Sequence, residues 1–520
     1  MLKPNKIKKS KLVNKKILLF NPRPSANTFF EGVPLSLLSL SRILDAEGGY
    51  DIKIVSAEQA CDYIKTILEF AEDAICFGIT SMTGYQIQDG INIAKAVREK
   101  YPKIPIVWGG WHPSICPDQT VMSPFADIVI RGQGEKTFTE LVHKLENNLP
   151  LSGVLGITYK KKGRVFTNSD RPTEDINNFP PLPYHLVDME KCVRNSEYGS
   201  RTVDYISSIG CPYRCAFCSE REVNKGRWSG LTPKKVINDL KLLVTKYNIN
   251  TVYFHDSNFF VNEERVREIC KGIIKNKLSL KLGQLDARTS QLVNYKKDTW
   301  ELMSKSGFVS LLVGAESGSQ QVLDFIQKDA KVEDTIKMAK ICKSYNIGII
   351  LSLMMGLPDV KGRFEQPLKE EFEQTISMIN RVMATGVDLN ICGWFVYTPY
   401  PGTPLYEISI QRGWPPPTTL EDWAQFNLSG KNTPWITKKY VKYLEQFSRY
   451  IFPCLGTTYS NVWENKRKTS FFKTSLSVSL AILILKLLRK TASFRWKHKF
   501  FSLPIENKLI KIYSNKLKNL

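Results

Sequence analysis

The stretch Cys211-Pro-Tyr-Arg-Cys215-Ala-Phe-Cys218 decides how this sequence is interpreted. Three thiolates on one short segment are soft ligands suited to an iron–sulfur cluster or to zinc. Gly210 and Pro212 predict that the segment is a loop, which follows a strand-like run at 202–209. A cubane cluster on three cysteines leaves one iron open to a small molecule, whereas a structural zinc site requires a fourth ligand. We therefore expect a [4Fe-4S] cluster; the alternative is a zinc knuckle that borrows Cys192, Cys270 or His255.

The C-x3-C-x2-C spacing, with alternating strand and helix patterns after it, resembles the radical S-adenosylmethionine (SAM) superfamily. The resemblance implies that the open iron binds SAM, which is cleaved reductively to a 5′-deoxyadenosyl radical. Recurring strand-like segments downstream predict a partial (β/α)6 barrel. These segments lie at 202–209, 251–254, 281–285, 310–314, 348–355 and 388–396.

The same resemblance implies four SAM contacts at the carboxyl ends of these strands. Phe217 is expected near the adenine, Asp256 near the amino group and Glu316 at the ribose hydroxyls. The backbone at Gly356 is expected against the adenine.

Two of these assignments have structural alternatives. The family pattern has two acids where His255 and Asp256 stand, and Asp256 could instead cap a helix that begins near Asn262. Glu316 could pair with a basic side chain, for example Arg288. Both alternatives stay open at the level of sequence.

Residues 16–145 predict a doubly wound α/β domain with a parallel sheet. Apolar strands are expected at 16–20, 51–55, 74–80, 104–108 and 128–130, with helices at 35–46 and 86–100. Ligands of such a sheet bind at the carboxyl ends of its strands. The candidate residues at those ends are Ser81, Thr83, Gly109, Gly110, His112, Gly132 and Gly134.

This pattern, placed ahead of the cysteine triad, resembles the cobalamin-binding domain found upstream of many radical SAM domains. The alternative is a flavodoxin-like domain with ordinary glycine turns. The Asp-x-His-x-x-Gly motif, whose histidine ligates cobalt, is absent. The resemblance therefore suggests that cobalt is bound without a protein imidazole. For His112, a hydrogen bond to the corrin periphery or to its own loop and a contact with the metal both stay open.

Charge and composition bound the remaining possibilities. The total of +23 includes +7 in residues 1–16 and +13 in residues 466–520, which leaves about +3 for the rest of the 520 residues. The near-neutral body argues against a nucleic-acid partner. Eleven cysteines are too few for a disulfide scaffold, so we expect a reducing cytoplasm.

The expected architecture is α/β with a mostly helical C-terminal region. The predicted divisions are a basic leader at 1–15, the cobalamin-binding domain at 16–145, a linker at 146–195, the radical SAM domain at 196–420 and the helical region at 421–520. Within the last, the apolar run 474–485 is too short to span a membrane but, flanked by lysines and arginines, predicts a helix on the anionic inner membrane surface. The alternative is a helix buried against the barrel.

The resemblance as a whole implies a cobalamin-dependent radical SAM enzyme with a low-potential electron donor of the flavodoxin or ferredoxin type. The first expectation is C-methylation of an unactivated carbon in a small-molecule or lipid-like substrate. Oxidative cyclisation or rearrangement, as in the anaerobic magnesium-protoporphyrin ester cyclases, is the second. A cobalamin- or SAM-binding protein without catalysis and a zinc-stabilised nucleic-acid module are the alternatives of another class.

Overall fold

The apolar, β-branched segments of the N-terminal third form the strands of one sheet. A computed structural model describes residues 15–29, 31–58, 62–358, 366–426, 433–455, 476–501 and 506. The chain forms two compact units, one of residues 1–189 and 417–426 and the other of residues 190–416 and 427–520. The lysine-rich residues 1–14 and the basic stretch 466–473 lie outside the described residues, so the expectations for them stay predictions.

The first unit contains a seven-stranded sheet of order β2-β1-β3-β4-β5-β6-β7. The first five strands are parallel, as predicted, and β6 and β7 form an antiparallel hairpin on β5. Ile17 to Phe20 of β1 are fully buried, as in a sheet covered on both faces. The strands are β1 Lys15–Asn21, β2 Tyr50–Ser56, β3 Ala74–Thr80, β4 Ile106–Gly109, β5 Ile128–Ile130, β6 Ile157–Lys161 and β7 Arg164–Thr167.

Helices connect the parallel strands, and short helical turns follow the hairpin. The two long predicted helices are confirmed at Leu35–Glu47 and Tyr85–Lys100. The others are Tyr63–Phe70, Trp111–Ile115, Pro117–Met122, Glu135–Glu146, Ile176–Asn178 and Tyr184–Leu186. The short helix Met189–Cys192 begins at the boundary between the two units. The first unit also contains the helix Leu420–Ala424, which follows the whole barrel in sequence.

The second unit contains the predicted arc of parallel strands. The order is β8-β11-β12 in one sheet and β13-β14-β15-β16 in the next. The third predicted strand is divided in two by Gln284, whose φ of +54° turns the backbone out of the extended region. The strands are β8 Thr202–Tyr205, β9 Ser208–Gly210, β10 Trp228–Gly230, β11 Thr251–Phe254, β12 Lys281–Gly283, β13 Leu285–Ala287, β14 Ser310–Glu316, β15 Gly348–Met355 and β16 Leu389–Val396.

Helices cover the outside of this arc. Those between strands are Glu220–Asn224, Pro233–Tyr247, Glu263–Lys275, Thr289–Leu292, Lys297–Lys305, Gln320–Phe325, Val332–Ser344 and Gln366–Met383. After β16 come Pro404–Gln411, Lys438–Gln446, the π-helical turn Phe447–Ile451, Phe452–Leu455 and Leu476–Lys497.

The described part of the last helix packs against its own unit. The Trp496 ring is buried among Phe447, Phe452 and Phe501, and its indole N–H donates to Asn380 Oδ1 at 2.7 Å. Among the described residues, no helix has the length and apolar character needed to cross a bilayer.

Candidate active site

The cysteine loop lies between β9 and the short helix Glu220–Asn224. β9 pairs with β10 in an antiparallel ribbon, and Gly210 has φ +85° with its Cα against the Arg227 carbonyl. A side chain at position 210 would collide with that carbonyl, so the turn into the loop requires glycine. Ala216 anchors the loop centre, because its N–H donates to Ile326 O at 2.8 Å and its carbonyl accepts from Leu405 N at 3.0 Å.

The three thiols suit a cluster better than a single ion. Cys211, Cys215 and Cys218 are partly accessible. Burial raises the pKa of Cys211 and raises that of Cys218 to about 12, and the charge of Cys215 adds to both shifts. No three described His, Cys, Asp or Glu side chains lie close enough together to hold one metal ion. A cubane, whose thiolates attach to separate irons, spreads its ligands more widely than a zinc ion does.

The fourth ligands suggested for the zinc alternative are engaged elsewhere. Cys192 and Cys270 are buried in the protein interior. His255 Nε2 lies 2.7 Å from Asp204 Oδ1, and that hydrogen bond raises the pKa of His255. The available donor set is therefore three thiols on one loop, which fits a [4Fe-4S] cluster with an open iron.

Glu316 lies at the end of β14 in a buried ion pair. Lys328 Nζ is 2.7 Å from Glu316 Oε1, and the two side chains are about one-tenth exposed. Burial lowers the pKa of Lys328, but the charges of Glu316 and Cys215 outweigh this and raise it. The pair lies over Gly314, where any side chain would displace it, and the Lys328 ammonium is 5.8 Å from the centre of the Phe217 ring. Phe217, Glu316 and the cysteine loop are thus brought together.

The partner of Glu316 is Lys328 and not Arg288, the example considered from sequence. Arg288 instead contacts the cysteine loop, with Nη1 2.9 Å from Cys215 Sγ. Sequence reasoning assigned no role at the site to Lys328, which follows the helix Gln320–Phe325 in a turn that no strand pattern marks. For Arg288, its position directly after a predicted strand was the one sequence feature that indicated a place at the site.

Asp256 is completely buried and links the ends of β8 and β11. Its two oxygens accept from Ser207 N, Ser207 Oγ and Ser208 Oγ at 2.6–2.7 Å, beside the charge of Arg265. The N-cap of the helix Glu263–Lys275 is Asn262 itself, whose side chain accepts from Arg265 N. Asp256 therefore does not cap that helix, and its contact with SAM stays a prediction.

Several polar side chains cluster near Asp204 and Asp286 in the second unit. Burial opposes ionisation of Asp204, but hydrogen bonds from Arg194 and His255 lower its pKa to about 2. Asp286 accepts no hydrogen bond at its carboxylate from the described residues, and burial raises its pKa to about 7. A carboxyl without a protein partner, influenced by the charges of His255, Lys328 and Glu316, is suited to meet a polar ligand.

Gly356 follows β15 with φ +79°, a conformation that favours glycine. Its carbonyl accepts from the Trp435 indole at 2.7 Å, and its Cα lies against Ile436. Its expected backbone contact with adenine stays a prediction.

In the first unit, the predicted loops meet at the carboxyl edge of the sheet. His112 is fully buried, its Nδ1 is 3.1 Å from Thr83 Oγ1, and burial lowers its pKa to about 3. His112 Nε2 and Ser81 Oγ are buried without a hydrogen-bond partner among the described residues. Gly110 has φ +100° and lies so close to Ser81 O that a Cβ would be 2.8 Å away.

The remaining glycines of this edge belong to the β4 and β5 loops. Gly109 ends β4, Gly132 N donates to Ser114 Oγ at 3.0 Å, and Gly134 lies against Leu40. These features fit the amide groups of a corrin: the imidazole of His112 is neutral, His112 Nε2 and Ser81 Oγ have no hydrogen-bond partner among the described residues, and the glycines leave the backbone accessible. Their individual contacts with cobalamin stay predictions.

Trp423 of the helix Leu420–Ala424 covers His112, with ring centroids 5.3 Å apart. Its indole N–H donates to Gln119 Oε1 at 2.7 Å, and Ser123 Oγ donates to Glu421 Oε1 at 2.7 Å. No sequence signal near residue 420 indicated that this segment belongs with residues 300 positions earlier.

The sequence matches two families in the order of the two predicted domains. The B12 binding domain matches residues 25–142 and the radical SAM superfamily matches residues 205–366. An uncharacterized methyltransferase of Pyrococcus horikoshii is 30% identical over 388 residues, which are 73% of this chain and 79% of that protein. The anaerobic magnesium-protoporphyrin IX monomethyl ester cyclase of Synechocystis sp. is 26% identical over 65% of this chain and 67% of its own.

Among solved structures, the fold is similar to OxsB, a cobalamin-dependent SAM radical enzyme determined with aqua-cobalamin bound. The TM-score is 0.69 at 18% identity, over 98% of this chain and 76% of OxsB. The open three-thiol loop, the sheet edge in the first unit and these similarities lead to one conclusion. The chain is a member of the cobalamin-binding radical SAM enzymes, whose cofactors are a [4Fe-4S] cluster, SAM and cobalamin.

Proposed function

We propose that the protein is a cobalamin-dependent methyltransferase that transfers a methyl group to an unactivated carbon of a small molecule. The observation that carries this proposal is the buried Glu316–Lys328 pair, which lies beside Phe217 and the cysteine loop. When bound, the cofactors supply a 5′-deoxyadenosyl radical, which activates the substrate carbon, and a transferable methyl group.

The charged side chains of this site match the polar groups of SAM. Glu316 would accept hydrogen bonds from the ribose hydroxyls, since a carboxylate offers several acceptor positions. Lys328, a buried ammonium next to the loop, would pair with the SAM carboxylate. Phe217 would lie against the adenine. Cys211, Cys215 and Cys218 would hold the cluster and leave the fourth iron to SAM.

Asp286 supports a substrate with a polar group. Its carboxyl has no hydrogen-bond partner among the described residues and can accept from a hydroxyl or an ammonium. A substrate carrying such a group near the reacting carbon would be held through Asp286.

The decisive experiment is anaerobic reconstitution with cluster, cobalamin and SAM carrying a deuterated methyl group, followed by incubation with fractionated small-molecule extract. We expect 5′-deoxyadenosine together with a product heavier by one labelled methyl in place of hydrogen. The Cys218→Ser variant, in which one cluster ligand is replaced, is the control and should yield neither compound.

Two other results would overturn the proposal in different ways. Formation of 5′-deoxyadenosine with a product that lacks the label would favour oxidative cyclisation or rearrangement, to which the similarity with the Synechocystis cyclase points. Absence of 5′-deoxyadenosine from fully loaded, reduced protein would favour a binding protein without catalysis.

An acidic, low-potential electron donor of the flavodoxin or ferredoxin type fits the surface beside the cysteine loop. Arg221, Lys225 and Arg227 follow the loop directly and are exposed. Complementary charge accelerates docking and makes it sensitive to salt. If this surface receives the donor, reversing the three charges to Glu should slow reduction by flavodoxin at low salt and leave reduction by dithionite unchanged. Equal slowing of both would exclude the docking role.

Peripheral membrane contact is a further proposal, carried by the exposed face of the last helix. Leu487 and Phe494 are more than half exposed and share that face with Lys490 and Lys497. Apolar and basic residues on one face suit an anionic bilayer surface. We expect the Leu487→Ser/Phe494→Ser variant to lose sedimentation with phosphatidylglycerol vesicles. If the variant sediments as well as the wild type, this face does not bind the vesicles, and the helix has only its packing role.

A further inference from the structure

Arg288 is a buried cation that is directed at the cysteine loop. It follows β13 and is 6% exposed. Nη1 lies 2.9 Å from Cys215 Sγ, Nη2 donates to the Lys328 carbonyl, and the guanidinium carbon lies 3.9 Å from the centre of the Tyr213 ring. The ring and the carbonyl therefore hold the guanidinium in one orientation, with a donor aimed at the sulfur.

No described carboxylate forms an ion pair with this guanidinium. Asp329 pairs with Arg214 at 3.2 Å instead, and its pKa is lowered mainly by that partner and only in smaller part by Arg288. A buried charge without a partner is costly, so the position is favourable when Cys215 carries negative charge. A cluster thiolate supplies that charge.

Hydrogen bonds to the sulfurs and positive charge nearby both stabilise the more electron-rich form of an iron–sulfur cluster. Both are present here, on the middle cysteine of the three. One electron from a low-potential donor converts the [4Fe-4S] cluster from the 2+ to the 1+ state, and no proton or bond change accompanies the step.

We propose that Arg288 is a positioning residue that raises the reduction potential of the cluster through its hydrogen bond to the Cys215 thiolate. The inference rests on the cluster assigned to the three cysteines and is independent of what the enzyme methylates. It gives a role to a side chain that touches neither substrate nor SAM in the assignments above.

The test is an anaerobic redox titration of the reconstituted full chain, followed by EPR of the reduced cluster without substrate. We expect Arg288→Gln to lower the equilibrium constant for one-electron reduction about tenfold, which is a shift of ~59 mV to more negative potential. Arg288→Lys should shift the potential less than Arg288→Gln, because lysine keeps the positive charge and loses only the planar set of guanidinium donors. Iron, acid-labile sulfide and the melting temperature establish that each variant is loaded and folded.

The matched control is Arg214→Gln. Arg214 adjoins Cys215 in sequence but is 63% exposed and pairs with Asp329, so its loss should leave the potential unchanged. Tyr213→Leu keeps Arg288 and removes the surface on which it lies, and should shift the potential in the same direction as Arg288→Gln. If Arg288→Gln binds no cluster, the reduction potentials of Arg288→Lys and Tyr213→Leu serve as the test.

The inference is overturned if cluster-loaded Arg288→Gln has the wild-type reduction potential. If Arg288→Gln does not load, it is overturned when loaded Arg288→Lys and loaded Tyr213→Leu both have the wild-type potential. An equal shift in Arg214→Gln also overturns it, because the effect would then be one of net charge. Neither result bears on methyl transfer, since no substrate is present. Failure of the wild-type chain to bind iron and sulfide would instead remove the cluster and the proposed function together.

Discussion

Lys328 and Glu316 hold opposite charges 2.7 Å apart in the protein interior, which leaves each dependent on the other. Removing one partner of a buried pair strands the other charge, at a cost of about 3–5 kcal/mol. Glu316 also has φ +59°, an unfavourable conformation for a residue with a side chain. Strain and a buried charge at the same position are features that support the proposed role of Glu316 in SAM binding.

Replacement of Lys328 should therefore destabilise the fold and, in the protein that remains folded and cluster-loaded, weaken SAM binding. We expect Lys328→Met to weaken SAM binding to cluster-loaded protein at least about tenfold, since a charge-assisted contact contributes ~1.5–3 kcal/mol. Lys328→Arg should retain most of the affinity. Equilibrium dialysis with labelled SAM measures both variants, and wild-type affinity in Lys328→Met would contradict the assignment.

Glu371 supplies a pH-dependent contribution to stability. It is buried under the Glu316 loop, accepts from Ser317 Oγ at 3.1 Å, and burial raises its pKa to about 8. The folded state thus keeps a proton that the unfolded state loses near pH 4.5, so stability declines as the pH rises between these values.

Glu371→Gln should remove this decline. From pH 5 to pH 8 the wild type should lose about 3–4 kcal/mol of unfolding free energy relative to the variant. Denaturant unfolding at the two pH values provides the measurement. The control is Glu373→Gln, an exposed glutamate on the same helix, which should follow the wild type; parallel curves for all three proteins would exclude the effect.

The elements place functional groups where strands end. In the first unit, β3, β4 and β5 are parallel, so the loops after them lie at one edge. Ser81, Gly110 and His112 come together there because sheet register aligns positions that are distant in sequence. In the second unit, the same geometry aligns the ends of β13 and β14 near the cysteine loop.

Gly110→Ala should disrupt this edge. The new Cβ would lie 2.8 Å from Ser81 O at φ +100°, so we expect a loss of about 2 kcal/mol or more and weaker cobalamin retention. Gly153→Ala is the matched control, since φ is +96° but nothing lies within 4 Å of its Cβ position. Thermal melting and the visible spectrum of bound cobalamin report the two effects. Equal losses of stability in Gly110→Ala and Gly153→Ala would show that the positive φ, and not the contact with Ser81 O, causes the effect.

At the scale of the whole molecule, the chain does not finish one unit before it begins the next. Residues 417–426 return to the first unit after the complete barrel and cover His112 with Trp423. The first unit therefore acquires this packing surface only after the barrel strands have been made, about four-fifths of the way along the chain. Because closing a loop of this length costs conformational entropy, we expect the contact of Trp423 with His112 to form late in folding.

Trp423→Ala should open this surface. Removal of a fully buried tryptophan costs about 3–5 kcal/mol, and we expect the loss to fall on the first unit, with faster hydrogen exchange at His112 and lower cobalamin content. Trp414→Ala, which removes a buried tryptophan from the second unit, is the control. Identical exchange patterns in the two variants would argue against a local role for the returning segment.

Much of this protein follows from local patterns in its sequence. Runs of apolar residues with strand or helix periodicity predicted the strands of the parallel sheet and of the barrel, and Gly210, Pro212 and the cysteine spacing predicted the cysteine loop, since these features depend on neighbours close in the chain. Only the tertiary structure decided that Lys328 partners Glu316, that Arg288 contacts Cys215, and that Trp423 covers His112. Each of these contacts joins side chains 12 to 311 positions apart, whose proximity depends on register, turns and burial that no local periodicity records.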